Sequence, residues 1–114
     1  GREFCLACAR YAKEARVVAL ARTLQATPLA VTAGVSDEEL AVARHLAGRA
    51  LDAQLATLLP AAVSDQRLAG RLAAVARARL ALRHGRPPAT FTLEDIATLD
   101  ARIAQLLAIT GAGE

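Results

Sequence analysis

Two cysteines and two histidines are the residues of this chain best suited to bind a metal or to carry redox chemistry. Cys5 and Cys8 form a C-x-x-C pair, a spacing found in zinc sites and in redox motifs. A zinc site needs further ligands, and only His45 and His84, which we expect on two other helices, could supply them. A redox motif of this kind follows a strand, and the sequence predicts none here. We therefore expect no bound metal, and we expect Cys8 to be a small core residue.

A second candidate for chemistry is the trio His45, Arg49 and Asp52, which share one face of a predicted helix. This spacing could hold a base beside an orienting carboxylate, but it equally gives surface pairs worth ~0.2–0.5 kcal/mol. The sequence contains no Gly-rich phosphate loop and no Glu-x-x-His motif of the kind that di-iron bundles use. We therefore expect a protein that is not an enzyme and that uses no cofactor.

The elements that position these residues follow from the composition, because 29 of the 114 residues are alanine, 18 are leucine, and aromatic residues make up 3%. Alanine and leucine have high intrinsic helix propensities, so the sequence predicts an all-α fold without strands. Capping and period signals place the helices at 3–26, 36–59, 64–84 and 92–109. Short connections make the second and third helices, and the third and fourth, antiparallel neighbours, and so favour an up-down four-helix bundle-like domain over residues 1–114. The longer connector after the first helix leaves open that this helix is displaced from the bundle. Residues 1–4 are compatible with a cloning remnant.

The sequence contains clear signals for where helices begin and end. Ser36 and Glu39 form a capping box at the start of the second helix. We expect that helix to stop at Pro60, because proline lacks the N–H that an interior helix position needs. Gly85 is expected to end the third helix, and Thr92 to cap the fourth.

The segment Leu29-Ala30-x-x-Ala33-Gly34-Val35-Ser36-x-x-x-Leu40 resembles the helix-turn-helix pattern of bacterial repressors. In that pattern a glycine makes the turn and a later apolar residue seats the recognition helix. The resemblance implies DNA reading by the residues that follow the turn. Here those residues are Asp37, Glu38 and Glu39, whose charge repels phosphate. A loop followed by a capped helix accounts for the same letters.

Arginine supplies 13 of the 14 basic residues, and the formal net charge is +3. The candidate contacts for a polyanion are Arg67, Arg71, Arg83 and Arg86, in and just after the third predicted helix. They lie on two sides of that helix, and no aromatic residues alternate with them to stack on bases. A solvated helix face is the alternative interpretation.

Arg44 and Arg79 lie within otherwise aliphatic stripes of the second and third predicted helices. Since an unpaired buried guanidinium costs several kcal/mol, each should pair or reach solvent. We predict an internal pair with an acid, with Asp100 as the expected partner; the alternative is that both side chains extend to water.

The first predicted helix carries two apolar stripes, and one of them consists of Leu6, Val17, Leu20 and Leu24. Four exposed aliphatic residues on one helix would leave a patch unusual for a monomer, so we predict that this face binds a second copy or a partner helix.

These features favour a non-enzymatic helical interaction or dimerisation module, such as a regulatory fragment of a larger protein. The alternative is a small basic regulator that binds nucleic acid through the arginines of the third helix. No run of ~18–20 apolar residues indicates a membrane span, and no secretory signal is recognisable, so we expect a cytoplasmic location.

Overall fold

The computed structural model describes residues 14–30 and 32–110. Within these ranges the chain is all-α, as predicted, with no strand and with one short 3₁₀ helix at Pro88–Thr90. The α-helices are α1 (Ala15–Ala26), α2 (Asp37–Ser64), α3 (Arg67–His84), α4 (Leu93–Ala97) and α5 (Ala101–Thr110). In the described ranges, no helix combines the length and the apolar character that crossing a membrane requires.

Helix α2 is the longest of the described helices and runs along the long dimension of the molecule. Its 28 residues span about 42 Å at the usual rise per residue, close to the longest dimension of 43 Å. The predicted capping box is present: Ser36 Oγ accepts from the Glu39 N–H at 3.1 Å, and the Glu39 carboxylate accepts from the Ser36 N–H at 3.4 Å. Glu39 is 7% exposed and also pairs with Arg16 of α1. The start of α2 is therefore fixed both locally and by α1.

The predicted stop at Pro60 is wrong, because α2 continues through this residue to Ser64. The backbone angle of proline suits a helix, and the ring removes one hydrogen bond without preventing a further turn. Leu59 and Ala62, on either side of Pro60, are 5% and 0% exposed. Packing of these side chains outweighs the local preference to stop.

Helix directions follow from the side chains that join them. Contacts of Arg44 with Leu82 and of Asp52 with Arg79 show that α2 and α3 are antiparallel, as predicted. Helices α1 and α2 run in broadly the same direction, because Arg16 contacts Glu39 near both starts while Gln25 contacts Gln54 further along both. The up-down order is therefore wrong for this first pair. The ten-residue connector can extend over roughly 33 Å, enough to return along α1.

Two clusters of buried side chains lie along α2. The first joins α1 and the end of α3 to the first half of α2 and consists of Val17, Ala21, Leu24, Val42, Ala43, Ala47, Leu51 and Leu82. The second joins the other half of α2 to α3, α4 and α5; its largest members include Leu55, Leu59, Leu72, Phe91, Ile96 and Ile103. Alanines contribute many of the contacts, so the helix axes can approach closely. Long side chains on α2 and α3 can therefore reach each other's backbones.

The fourth predicted helix is divided into α4 and α5. Thr92 caps α4 as predicted, in a capping box with Asp95. The break follows because Thr98 Oγ1 donates to the Asp95 carbonyl, and the Asp100 carboxylate accepts from the Arg102 N–H at 2.8 Å. Local side-chain bonds of this kind compete with a continuous helix. Helix α3 ends as predicted, with Gly85 at φ +70°.

Candidate functional site: an arginine cleft

A cleft of about 600 Å³ lies between α2 and α3. We call it the arginine cleft, because four of its nine lining residues are arginines. The lining residues are Ala41, Arg44, His45, Gly48, Arg49 and Asp52 of α2, with Arg79, Leu82 and Arg83 of α3. Their spacing of three or four residues places each set on one helix face.

The cleft carries a strong excess of positive charge, since it has four guanidinium groups and one carboxylate. Arginine stays protonated at every physiological pH, so this excess is permanent. Charge held in a concave site is focused by the low-dielectric walls, and it attracts anions more strongly than the same charge on a flat surface. The arrangement therefore suits an anionic ligand.

Arg79 is the most constrained of these side chains. Its Nε donates to Asp52 Oδ1 at 2.8 Å, and its side chain is 18% exposed. The guanidinium lies flat against Gly48: a Cβ on that glycine would stand 3.3 Å from Cζ and 3.4 Å from each Nη. The backbone of α2 at Gly48 thus packs against one face of the Arg79 guanidinium. Asp52 occupies only Nε, and within the described residues neither Nη donates a hydrogen bond.

Arg44 lines the same cleft and has a different partner. Its Nη2 donates to the carbonyl oxygen of Leu82. Leu82 lies in the last turn of α3, where carbonyl groups have no partner within the helix. Arg44 therefore caps the end of α3 and closes one end of the cleft.

The prediction of an internal pair is wrong, because the carboxylate that pairs with Arg79 lies at the surface: the Asp52 side chain is 55% exposed. Arg79 pairs with an acid, but the prediction that Asp100 is this acid is wrong. The break before α5 turns Asp100 toward its neighbour, and Arg102 Nη2 donates to its carboxylate at 2.7 Å. Arg44 has a backbone carbonyl as its partner rather than an acid. Sequence reasoning missed the roles of Gly48 and Asp52, although the His45–Arg49–Asp52 spacing did identify the correct face of α2.

The predicted dimer interface is wrong for the residues that the structure describes. Val17 and Leu24 are each 1% exposed, in the cluster that joins α1 to α2, and Leu20 packs against the same cluster. The apolar stripe of α1 is therefore covered by α2 of the same chain. Leu6 lies outside the described residues.

The four arginines expected to contact a polyanion do not form one surface. Arg67 pairs with Asp65 at 3.1 Å, and the guanidinium of Arg86 lies 4.6 Å from the ring centre of Phe91. Arg71 lies outside the arginine cleft, and Arg83 lines it. All four are exposed, but they are distributed along the whole length of α3 and beyond its end.

Cys5 and Cys8 lie outside the described residues, so the structure does not address their expected role. Among residues 14–30 and 32–110, no three His, Cys, Asp or Glu side chains come together in a group that could hold a metal ion. Comparison of the chain with protein-family models, with curated proteins and with solved structures gives no match.

Proposed function

We propose that this chain is a non-enzymatic helical interaction module that binds an acidic segment of a partner protein in the arginine cleft. The observation that carries the proposal is the convergence of four arginines from two helices on one cleft with a single carboxylate. An acidic ligand would neutralise the excess charge and could accept hydrogen bonds from several guanidinium groups at once.

A protein segment fits this cleft better than a nucleic acid does. No Phe, Tyr or Trp lines the cleft, so bases would lack the large aromatic faces on which single strands commonly stack. Elsewhere in the described residues, carboxylates neutralise Arg67 and Arg102, which interrupts any basic track for a phosphate backbone. Arg71 and Arg83 remain exposed, and the alternative of a nucleic-acid-binding regulator depends on them.

The partner would occupy the α2–α3 face rather than α1, since Val17 and Leu24 are already buried within the chain. The setting we propose is a regulatory fragment of a larger cytoplasmic protein. Binding in such a cleft depends on charge, so affinity should fall as salt rises.

The test is fluorescence anisotropy with a labelled peptide of about eight glutamates, at low and at physiological salt. The double variant Arg49→Ala, Arg83→Ala should weaken binding about tenfold or more, which corresponds to ~1.4 kcal/mol. The matched control, Arg67→Ala with Arg71→Ala, removes the same charge from outside the cleft and should have a much smaller effect.

Two results would overturn the proposal. One is an equal loss of affinity in both double variants, which would indicate a response to net charge alone. The other is tighter binding of a labelled DNA duplex than of the peptide, which would favour the nucleic-acid alternative.

A further inference from the structure

We infer that the group which the arginine cleft binds is a phosphoryl group on the partner protein, held by Arg79, Arg49 and Arg83. This inference rests on the proposed function and names the ligand chemistry of the same site.

Arg79 is oriented before any ligand arrives. Asp52 binds its Nε at 2.8 Å, and Gly48 supports the face of the guanidinium. These contacts leave the two Nη groups, at the end of the guanidinium, available for an oxyanion. A donor that is already fixed loses less conformational entropy on binding than a mobile side chain does.

Arg49 and Arg83 provide further donors beside it. Both are exposed and line the cleft with Arg79, and Arg83 lies one helical turn beyond Arg79. In the part of the chain that the structure describes, neither has a carboxylate partner. Three guanidinium groups therefore face the cleft with unused N–H groups.

A phosphoryl monoester matches this set better than a single carboxylate does. It carries a charge of about −1.5 to −2 and has three strong acceptor oxygens, one for each guanidinium. A carboxylate offers one charge and two oxygens. The cleft already contains one carboxylate, Asp52, and still has an excess of cations.

The experiment compares three peptides that differ at one position, which is serine, glutamate or phosphoserine, and that carry no net charge from their other residues. Fluorescence anisotropy with the full chain should show the phosphoserine peptide binding about tenfold or more tightly than the glutamate peptide. Arg79→Lys keeps the charge but loses the planar fork, so it should remove most of this preference. Arg83→Lys is a second variant at an exposed position, and Arg71→Lys, outside the cleft, is the matched control.

The outcomes separate the inference from the proposed function. Equal binding of the glutamate and phosphoserine peptides would overturn the phosphoryl assignment, while binding of the acidic peptide would still support the cleft as a protein-binding site. No binding of any acidic peptide would overturn both. Tighter binding to phosphatidylcholine vesicles containing phosphatidylinositol 4-phosphate than to the phosphoserine peptide would overturn the protein source of the group. An equal effect of Arg71→Lys and Arg79→Lys would overturn the role of Arg79.

Discussion

Replacing Gly48 by alanine should separate the stability of the fold from the function of the cleft. Gly48 lies in the interior of α2, where alanine is favoured over glycine by ~1 kcal/mol of helix propensity. The new Cβ would lie 3.3 Å from Cζ of Arg79, a contact tight enough that the guanidinium must move slightly. Arg79 must therefore shift by a few tenths of an ångström or turn outward.

The cost of moving Arg79 is modest. Its partner Asp52 has a side chain that is 55% exposed, and ion pairs of this kind contribute ~0.2–1 kcal/mol. Subtracting this loss from the helix-propensity gain leaves a net change of about 0–1 kcal/mol in favour of the Gly48→Ala variant. The free energy of unfolding should thus stay level or rise slightly, while affinity for the phosphoserine peptide should fall several-fold, because the Nη groups of Arg79 leave the position in which Gly48 and Asp52 hold them.

Urea denaturation and peptide anisotropy on the same preparations would measure both quantities. Gly70→Ala is the matched control, because a Cβ at this position of α3 meets nothing within 4 Å. That control should gain stability without changing affinity. A loss of more than about 1 kcal/mol in Gly48→Ala would refute the reasoning, since Arg79 would then be fixed as part of the fold. Unchanged peptide affinity would equally refute it.

Three further predictions concern the scaffold. Leu72→Ala should lower the free energy of unfolding in urea by about 3–5 kcal/mol, because Leu72 is fully buried and the cavity cannot fill. Pro60→Ala should raise it by about 1–3 kcal/mol, because alanine restores a helix N–H, and the loss of proline's restriction of the unfolded chain offsets only part of this gain. The pKa of Asp95 is lowered by the hydrogen bond from the Thr92 backbone, and that of Asp100 by the Arg102 side chain. The two carboxylates therefore stabilise the fold above about pH 4, and this contribution is lost as the pH falls through their lowered pKa values. Thermal midpoints measured as the pH is lowered below about 4 should fall less in Asp95→Asn than in the unsubstituted protein.

Local signals in the sequence were sufficient wherever a feature depends on residues close in the chain. The Ser36–Glu39 capping box, the cap at Thr92 and the helix end at Gly85 are of this kind, since each involves residues within one helical turn. The interruption near Asp100 is also local, but several side-chain bonds together outweigh the helix pattern there.

The arginine cleft could be predicted only in part, because its contacts join residues far apart in the chain. Helical periodicity placed Arg44 and Arg79 on core-facing stripes, but it could not say that Asp52, 27 residues before Arg79, would be the acid. That pairing depends on the register between α2 and α3. The direction of α1 was equally beyond local signals, because a ten-residue connector permits either orientation.

The presence of two core clusters on one long helix has a consequence for how the molecule opens. Helix α1 belongs only to the first cluster and helices α4 and α5 only to the second, while α3 contributes to both, so native-state hydrogen exchange should give α1 and the α4–α5 end separate opening free energies. The arginine cleft lies beside the first cluster, since Leu82 belongs to both and the cleft residues of α2 run from Ala41 to Asp52. A ligand that joins Arg49 to Arg83 would cross-link α2 to α3 beside the first cluster and should slow amide exchange there more than at the α4–α5 end.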